Sequence, residues 1–337
     1  MKFGLVPVVE AAGAILAHSV MLKGVKFAKG RVLTMADCER LTSSGLSEVT
    51  VARLEPGEIG EDEAAERLAG ALVPEPKIAG LSLTAAHTGR VNLKATRPGV
   101  FMVDRNALLR VNAVDHAITV ATLSPMTRVA VGQMVGTVKI ITYGVDGMSL
   151  DQAALHAVAA VSVRAVSIAT ATLILTETPG LDDKLIRKGR SAVAARMKAL
   201  GIELVGVESV PHRSEAVANA ISSANGEMIL ILTGAATSDP HDVAPEAVRL
   251  AGGAVDRFGM PVDPGNLLFL GRIGKKPVVG LPGCARSPAL NGADWVLERV
   301  ACGLTPSALD FAAMGVGGLL KEVPLRGRMR DEDSSSG

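Results

Sequence analysis

The residues best suited to chemistry lie in one loop that follows a short apolar segment. Met228–Leu232 is a continuous apolar run, and the loop Thr233–Asp239 follows it directly. Such a run is typical of a parallel strand covered on both faces. The small residues of the loop let backbone N–H groups approach an anion closely, and its hydroxyls can add donors. The pattern predicts a phosphate site, although small residues are also common in ordinary strand-to-helix turns.

The segment after this loop is predicted to strengthen the anion site. Pro240–Leu250 has the pattern of a helix with Asp239 as its N-cap, so the positive end of the helix dipole would face the loop. Asp242 would lie in the first turn of that helix. A carboxylate at that position is stabilised by the helix dipole and needs no further role.

Two later Gly/Pro turns are candidates for the same site. They are Pro264–Asn266 and Leu281–Ser287, and each lies beside an apolar run. Ligand sites of open α/β sheets gather at strand ends, so we expect all three loops to share one edge. Arg286 either holds a phosphate with paired donors or forms a surface ion pair. Cys284 is interpreted as a packed thiol, because no base lies beside it in the sequence.

In these loops the chain resembles the molybdopterin-binding domain of molybdopterin adenylyltransferases and molybdopterin molybdotransferases. That family shows a strand, then Thr-Gly-Gly-x-Ser-x-Gly-x-x-Asp, then Pro-Gly-Lys, then Gly-Leu-Pro-Gly-Asn-Pro-x-Ser. The similarity extends in order over Val166–Gly303 and is closest to a bacterial branch with some members fused to a cytidylyltransferase-like domain. The matching residues here are Thr233, Gly234, Ala235, Thr237, Asp239, Asp242, Pro264, Gly265, Asn266, Gly280, Leu281, Pro282, Gly283, Cys284, Ala285 and Ser287.

The resemblance implies a fold, a ligand and a set of site residues. The fold would be α/β, with a mostly parallel sheet and helices on both faces, and the ligand molybdopterin. Asp242 would be the catalytic residue and would bind Mg²⁺, with ATP or CTP as a second substrate for nucleotidyl transfer; the other possible reaction is molybdate insertion. A homo-oligomer and a nucleotidyltransferase partner are also implied. Molybdopterin would contact Thr233, Gly234, Ala235, Ala236, Thr237, Pro264, Gly265, Asn266, Pro282, Gly283, Cys284, Arg286 and Ser287.

Departures from the family pattern leave two other functions open. Thr178 stands where the family carries an acid after the first strand, and Lys188-Gly189-Arg190 replaces an Asp-x-Asn pair. Asn266 and Cys284 replace a Lys and an Asn. These changes favour a non-catalytic pterin carrier or sensor. A third reading is an α/β protein that binds another phosphorylated metabolite. It requires only that the loop after the strand can bind an anion.

Composition excludes several classes of protein. The 337 residues include 35 basic and 34 acidic side chains and only 2% aromatics, which argues against nucleic acid binding. The three cysteines are scattered without a C-x-x-C pair, which fits reduced thiols in the cytoplasm and no zinc site. The N-terminus lacks the shape of a signal peptide, and the Ala-rich run 153–163 is too short to cross a membrane.

The chain is predicted to contain two domains and a tail. Residues 1–150 form a β-rich domain with helices at Thr34–Leu41, capped by Thr34, and at Gly60–Val73. The β-branched runs of 81–145 suggest a small barrel or curled sheet. In this domain, the donors of Ala86–Asn92 either reach a ligand or form a solvated turn. Lys139 is either a polar strand residue or a buried functional amine.

The second domain is predicted to follow a linking helix. Asp151–Arg164 has the pattern of that helix, and residues 160–325 form the α/β domain. Its first elements alternate between strand and helix, which predicts a parallel sheet. The polar residues 329–337 are predicted to be disordered. The alternating elements are Val166–Thr176, Lys188–Leu200, Ile202–Val207 and Arg213–Ser223.

Overall fold

The computed structural model describes residues 1–22, 24–180 and 182–320, so the predicted disordered tail, 329–337, lies outside the described residues. The chain divides into two compact units, Met1–Ala165 (unit 1) and Val166–Gly337 (unit 2).

Unit 1 is built from short strands and five helices within its described residues. The strands pair as β1-β5-β2, β10-β12-β8-β7, β11-β9-β14, β13-β6 and β3-β4, with a 3₁₀ turn at Val8–Glu10. The strands are β1 (Lys2–Pro7), β2 (Ile15–Leu16), β3 (Val20–Leu22), β4 (Val25–Phe27), β5 (Glu48–Arg53), β6 (Glu58–Gly60), β7 (Leu81–Leu83), β8 (Arg90–Ala95), β9 (Gly99–Val103), β10 (Ile118–Thr122), β11 (Arg128–Val129), β12 (Met134–Ile140), β13 (Gly144–Asp146) and β14 (Val161–Ala165), and the helices are α1 (Met35–Ser43), α2 (Glu61–Leu72), α3 (Pro76–Ala79), α4 (Arg105–Val114) and α5 (Gly147–Ala157).

Two helices of unit 1 form where their sequence signals predict them. Thr34 caps α1: its Oγ1 accepts the Asp37 N–H at 3.1 Å, while the Asp37 carboxylate accepts the Thr34 N–H at 3.1 Å. This reciprocal pair satisfies two N–H groups that the helix itself leaves without partners. Helix α2 buries Leu68 and Leu72 on its apolar face.

One prediction for unit 1 is wrong. Asp151–Arg164 is not one linking helix, because α5 ends at Ala157 and β14 follows and pairs antiparallel with β9. The chain turns at Ala159, whose φ is 52°, and the alternating burial of Val161 and Val163 is that of a strand. Of the two alternatives for 81–145, a closed barrel is not formed within the described residues, since the four-stranded sheet ends at β10 and β7, and the curled sheet stays a prediction.

Unit 2 has the predicted α/β fold. Its six strands lie in the order β16-β15-β17-β20-β19-β18, and the first four are mutually parallel. Strand β19 pairs antiparallel with both β20 and β18. The elements are β15 (Thr170–Glu177), α6 (Asp183–Leu200), β16 (Glu203–Pro211), α7 (Ser214–Ser223), β17 (Met228–Leu232), α8 (Val243–Leu250), β18 (Ala254–Phe258), β19 (Phe269–Ile273), β20 (Lys276–Leu281), α9 (Gly292–Ala301) and α10 (Ala308–Ala313), with a 3₁₀ turn at Gly283–Arg286.

The central strand β17 shows why the sheet is covered on both faces. All five of its residues are buried. Leu230 belongs to a core cluster with α6 and α9, whereas Ile229 and Ile231 belong to a cluster with α7 and α8. Successive side chains of a strand point to opposite faces, so a continuous apolar run requires helices on both sides.

Two helices of unit 2 begin at residues other than those predicted. Helix α6 begins at Asp183, because Asp182 caps it by accepting the Lys184 N–H at 2.8 Å. Lys188-Gly189-Arg190 therefore lies inside α6 rather than at its start. Helix α8 begins at Val243 and its N-cap is Asp242.

The predicted N-cap, Asp239, has a different role. Its Oδ1 accepts the His241 N–H at 2.8 Å, and its carbonyl accepts the Asp242 N–H at 3.0 Å. These bonds form a turn before the helix, so the first helical residue is Val243 rather than Pro240.

Candidate functional site

The strand order brings the predicted loops to one edge of the unit 2 sheet. Strands β15, β16, β17 and β20 are parallel, so their carboxyl ends meet at the same edge. Strand β18 is antiparallel to β19, which is antiparallel to β20, and therefore ends at that edge too. Residues 233–242, 259–268 and 282–291 are the loops that follow β17, β18 and β20. We call this the carboxyl edge.

Thr233–Asp239, which we call the anion loop, presents three consecutive backbone donors. The N–H groups of Ala235, Ala236 and Thr237 have no hydrogen-bond acceptor among the described residues. Ala235 and Ala236 are exposed. Successive N–H groups in a turn form a concave site that suits an anion.

The two threonine hydroxyls stabilise the anion loop from within. The Thr233 hydroxyl donates to the Ala235 carbonyl at 2.6 Å. Its oxygen lies 3.3 Å from Thr237 Oγ1, so the Thr237 hydroxyl is the donor in that pair. Both hydroxyl hydrogens are used inside the loop. The donors left for a ligand are the backbone amides rather than the hydroxyls considered from sequence.

Two side chains hold the first residues of the anion loop. Arg286 donates from Nη2 to the Thr233 carbonyl. The Gly234 N–H donates to Thr176 Oγ1 at 2.8 Å, and Thr176 is buried at the end of β15. Burial lowers the pKa of the Arg286 guanidinium, but an arginine stays charged at neutral pH. Arg286 therefore combines a structural contact with a positive charge at this edge.

Asp242 closes the anion loop from its far end. Its Oδ2 accepts the Ser238 N–H at 3.1 Å and its Oδ1 accepts the Val243 N–H at 2.7 Å. Across residues 1–22, 24–180 and 182–320, no group of three or more His, Cys, Asp or Glu side chains is arranged to hold a metal ion. Mg²⁺ at Asp242 would therefore need oxygen ligands from a bound phosphate and from water.

Arg196 of α6 is a site residue that the sequence did not indicate. It is buried, and it pairs with Asp294 of α9 at 2.6 Å from Nε to Oδ1. Its guanidinium also donates to the carbonyls of Ala285, Ser287 and Ala289 at 2.8, 2.8 and 3.2 Å. One buried cation thus fixes the loop after β20. Asp294 lies 98 residues away in the chain, so no local pattern could have revealed the pair.

The other predicted site residues differ in accessibility. Pro264 and Gly265 are buried against the start of α9, where the Gly292 N–H donates to the Pro264 carbonyl at 2.8 Å. Asn266 and Gly283 are exposed. Pro282 is buried, whereas Cys284, Arg286 and Ser287 are half-buried, and the three cysteines form no disulfide.

Gly189 brings α6 close to the carboxyl edge. A Cβ at this buried position would lie 2.8 Å from Leu232 Cδ2 and 3.3 Å from Arg286 Cγ. The helix therefore approaches β17 and Arg286 so closely that a larger residue requires side chains to shift. Lys188 and Arg190 flank this contact and are exposed.

In unit 1, the structure connects two features that the sequence singled out. The Lys139 ammonium donates to the Thr88 carbonyl and lies 3.8 Å from Glu61 Oε2. The Gly89 N–H donates to Asp62 Oδ1 at 2.6 Å. Burial raises the pKa of Glu61, and the charge of Lys139 opposes that shift. These contacts tie Ala86–Asn92 to α2, so Lys139 supports the loop.

A cavity of about 290 Å³ lies at the opposite edge of the unit 2 sheet. It is bounded by residues near the starts of β15, β17 and β20, among them Ile168, Glu227 and Pro277. It therefore lies away from the three loops of the carboxyl edge.

Comparison with protein families agrees with the loop chemistry. Residues 173–300 match the model described as a probable molybdopterin binding domain. Residues 173–300 are a domain of this family. The match supports a role in molybdenum cofactor biosynthesis. Residues 5–53, in unit 1, match a Domain of unknown function (DUF8806).

Solved structures of molybdenum cofactor and molybdopterin biosynthesis proteins are similar to this chain only at low TM-scores. Molybdenum cofactor biosynthesis protein B is 15% identical at a TM-score of 0.30 and covers 41% of this chain and 96% of its own. The molybdopterin biosynthesis MoeA protein from Pyrococcus horikosii is 15% identical at 0.30, covering 90% and 76%. A molybdenum cofactor biosynthesis protein from Pyrococcus furiosus is 11% identical at 0.26, covering 91% and 66%. Curated protein sequences gave no match.

No helix in the described part of the chain is both long and apolar enough to cross a bilayer.

Proposed function

We propose that this chain binds molybdopterin at the carboxyl edge of unit 2 and acts in molybdenum cofactor biosynthesis. The observation that carries the proposal is the row of three backbone N–H groups at Ala235–Thr237. They follow a buried strand in a domain of the molybdopterin-binding family. A phosphate accepts hydrogen bonds from such a row without requiring a lysine.

Arg286 supplies the fixed charge of the proposed site. It holds the Thr233 carbonyl, so its guanidinium lies beside the anion loop. A half-buried cation attracts an anion more strongly than an exposed one, because less water screens it. Pro264–Asn266 and Pro282–Ser287 complete the proposed pocket, and Asn266 and Gly283 are its exposed members.

Asp242 has two roles in this proposal. Its observed contacts make it the N-cap of α8 and the residue that closes the anion loop. We propose that it also binds Mg²⁺ once ligand phosphates are present, since Mg²⁺ sites often use one carboxylate with phosphate oxygens. If the protein is an enzyme, Asp242 is its catalytic residue and ATP or CTP its second substrate.

The charge of α6 favours a carrier as the second candidate. Lys188 and Arg190 are exposed next to the contact with Arg286. Two cations there would retain an anionic pterin but would not bind Mg²⁺. A carrier would deliver molybdopterin to a separate nucleotidyltransferase. We also propose that the protein is a homo-oligomer in the cytoplasm, with domains at residues 1–150 and 160–325.

Calorimetric titration with molybdopterin tests this function. The wild type, Asp242→Asn and Asp242→Ala are compared with and without Mg²⁺, ATP and CTP. Binding by the wild type is expected in every case. Asp242→Asn keeps one acceptor oxygen that can cap α8 but loses the acceptor for a second N–H, so its metal role is read only from the difference between titrations with and without Mg²⁺. If Mg²⁺ raises the affinity for molybdopterin in the wild type but in neither variant, the result would support Mg²⁺ binding by Asp242.

The same titration separates the candidates. Nucleotide-dependent heat and product support an enzyme, whereas equal binding with and without nucleotide supports a carrier. Preference for other phosphorylated metabolites over molybdopterin would favour the third reading. Absence of molybdopterin binding in all conditions would refute the proposed function.

A further inference from the structure

A chain of hydrogen bonds joins three neighbouring strand ends at the carboxyl edge. His212 directly follows β16, Thr176 lies near the end of β15, and Gly234 follows β17. Thr176 Oγ1 is 2.8 Å from His212 Nδ1 and accepts the Gly234 N–H at 2.8 Å. The backbone N–H of His212 donates to the Glu177 carbonyl at 2.9 Å. This bond holds His212, and with it the imidazole, beside β15.

The direction of the Thr176–His212 hydrogen bond follows from the number of hydrogens. A threonine hydroxyl has one hydrogen and two lone pairs. The Gly234 N–H uses one lone pair of Thr176 Oγ1, and the side chain is buried, so its hydrogen requires an acceptor. Within the described residues, His212 Nδ1 is the acceptor in reach. His212 is therefore the neutral tautomer that carries its hydrogen on Nε2.

We propose that His212 is a positioning residue for the anion loop and acts through Thr176. With Nδ1 as acceptor, the Thr176 hydroxyl hydrogen points away from Gly234 and a lone pair faces the Gly234 N–H. Gly234 is then fixed directly before the three amides of Ala235–Thr237. The ligand that this arrangement serves rests on the proposed function, whereas the arrangement itself does not.

Loss of the acceptor would release the loop. Without Nδ1, the Thr176 hydroxyl hydrogen has no acceptor in reach among the described residues, so the hydroxyl is no longer held with a lone pair facing the Gly234 N–H. A neutral hydrogen bond contributes about 1 kcal/mol, which corresponds to roughly fivefold to tenfold in an equilibrium constant. We therefore expect changes of that size in the opening of Gly234 and in anion affinity.

The first test measures the tautomer of His212 in the wild-type protein. Nitrogen-15 NMR distinguishes an imidazole nitrogen that accepts a hydrogen bond from one that carries hydrogen. The His212 signals are assigned by their absence in His212→Asn. At neutral pH we expect an unprotonated Nδ1 and a hydrogen on Nε2. A hydrogen on Nδ1 would overturn the inference. The tautomer is measured on the wild-type protein without a bound ligand.

The second test compares two substitutions that differ in one acceptor. Asn places Oδ1 near the position of Nδ1, whereas Phe keeps a ring without an acceptor. In His212→Phe, we expect the Gly234 amide to exchange with solvent about tenfold faster and molybdopterin to bind about tenfold more weakly. His212→Asn should restore both values. The inference is overturned if Phe and Asn behave alike, or if Phe matches the wild type and Asn does not, which is the result expected of a merely structural ring.

The proposed function and the positioning role of His212 can be refuted independently. If the wild type does not bind molybdopterin, the proposed function is refuted, and the exchange rate of Gly234 still decides the role of His212. If the wild type binds and His212→Phe matches it in both measurements, only the positioning role is refuted.

Discussion

Single residues at the carboxyl edge act mainly by holding backbone in place. Thr233 and Thr237 use their hydroxyl hydrogens inside the anion loop, and Asp242 uses both carboxylate oxygens on N–H groups. The family resemblance singled out these residues in the sequence. It could not show that the ligand is left with backbone donors, because that depends on which hydroxyl points inward.

Arg286 is the residue whose loss we expect to affect binding most. Arg286→Ala removes both the contact with the Thr233 carbonyl and a half-buried positive charge. A hydrogen bond involving a charged group contributes about 1.5–3 kcal/mol, so molybdopterin affinity should fall by about tenfold to a hundredfold. Calorimetry measures this change. Arg249→Ala, which removes an arginine paired within α8, is the control and should bind as the wild type does.

Asp37 makes a prediction for the pH dependence of unit 1. The Arg31 side chain donates to both of its carboxylate oxygens at 2.9 and 2.8 Å and lowers its pKa. A lowered pKa stabilises the fold above the unfolded value of about 3.9, and that stability is lost as the pH falls through the folded value.

Urea unfolding of Asp37→Asn measures this contribution. The variant should be less stable than the wild type by about 1.5–3 kcal/mol at pH 7, and the difference should shrink below about pH 4. Glu39→Gln removes the same charge from an exposed position of α1 and should change little. A stability difference that is constant between pH 7 and pH 3 would contradict the assignment.

Among the secondary structure elements, the strands were more predictable than the helix ends. The apolar run of β17 indicated burial on both faces because five consecutive apolar residues leave no polar face. The start of α8 was missed because it depends on which of two nearby carboxylates accepts backbone N–H groups, whereas α6 was predicted from Lys188 and extends further toward its N-terminus. Asp182 caps α6, and Asp242 rather than Asp239 caps α8. A single sequence does not distinguish such neighbours.

Contacts between distant elements were the least predictable feature. Arg196 of α6 holds the loop after β20 and pairs with Asp294. We expect Arg196→Met to destabilise unit 2 by about 3 kcal/mol, because it leaves a partly buried carboxylate and three carbonyls without this donor. Thermal or urea unfolding measures the loss.

Two comparisons test that explanation. Arg190→Met changes an exposed arginine of the same helix and should cost at most about 0.5 kcal/mol. Arg196→Met combined with Asp294→Leu removes both charges and should cost less than Arg196→Met alone. Equal losses for Arg196→Met and Arg190→Met would contradict the role of Arg196.

The turn at Pro264–Asn266 depends on glycine for two reasons. Gly265 has a φ of 139°, and a Cβ there would lie 2.5 Å from the Gly292 backbone nitrogen. Gly265→Ala should therefore destabilise unit 2 by more than about 1 kcal/mol, measured by urea unfolding. Gly70→Ala in α2 is the opposite case, since a Cβ meets nothing within 4 Å. It should stabilise unit 1 by about 0.5–1 kcal/mol. A neutral Gly265→Ala would show that this turn relaxes freely.

In the molecule as a whole, each hydrophobic core is formed within one unit. The four apolar clusters of the described residues each draw their members from unit 1 or from unit 2 alone. We therefore expect fragments 1–165 and 166–337 each to unfold cooperatively, as calorimetric melting would show. A fragment that melts without a cooperative transition would contradict this expectation.

The measurement closest to the central claim is the location of bound molybdopterin. Amide NMR shifts of the nitrogen-15-labelled full-length protein are recorded as molybdopterin is added. We predict the largest changes at Ala235, Ala236 and Thr237. Changes confined to the cavity at the opposite edge, around Ile168 and Glu227, with the three amides unaffected, would contradict binding at the carboxyl edge.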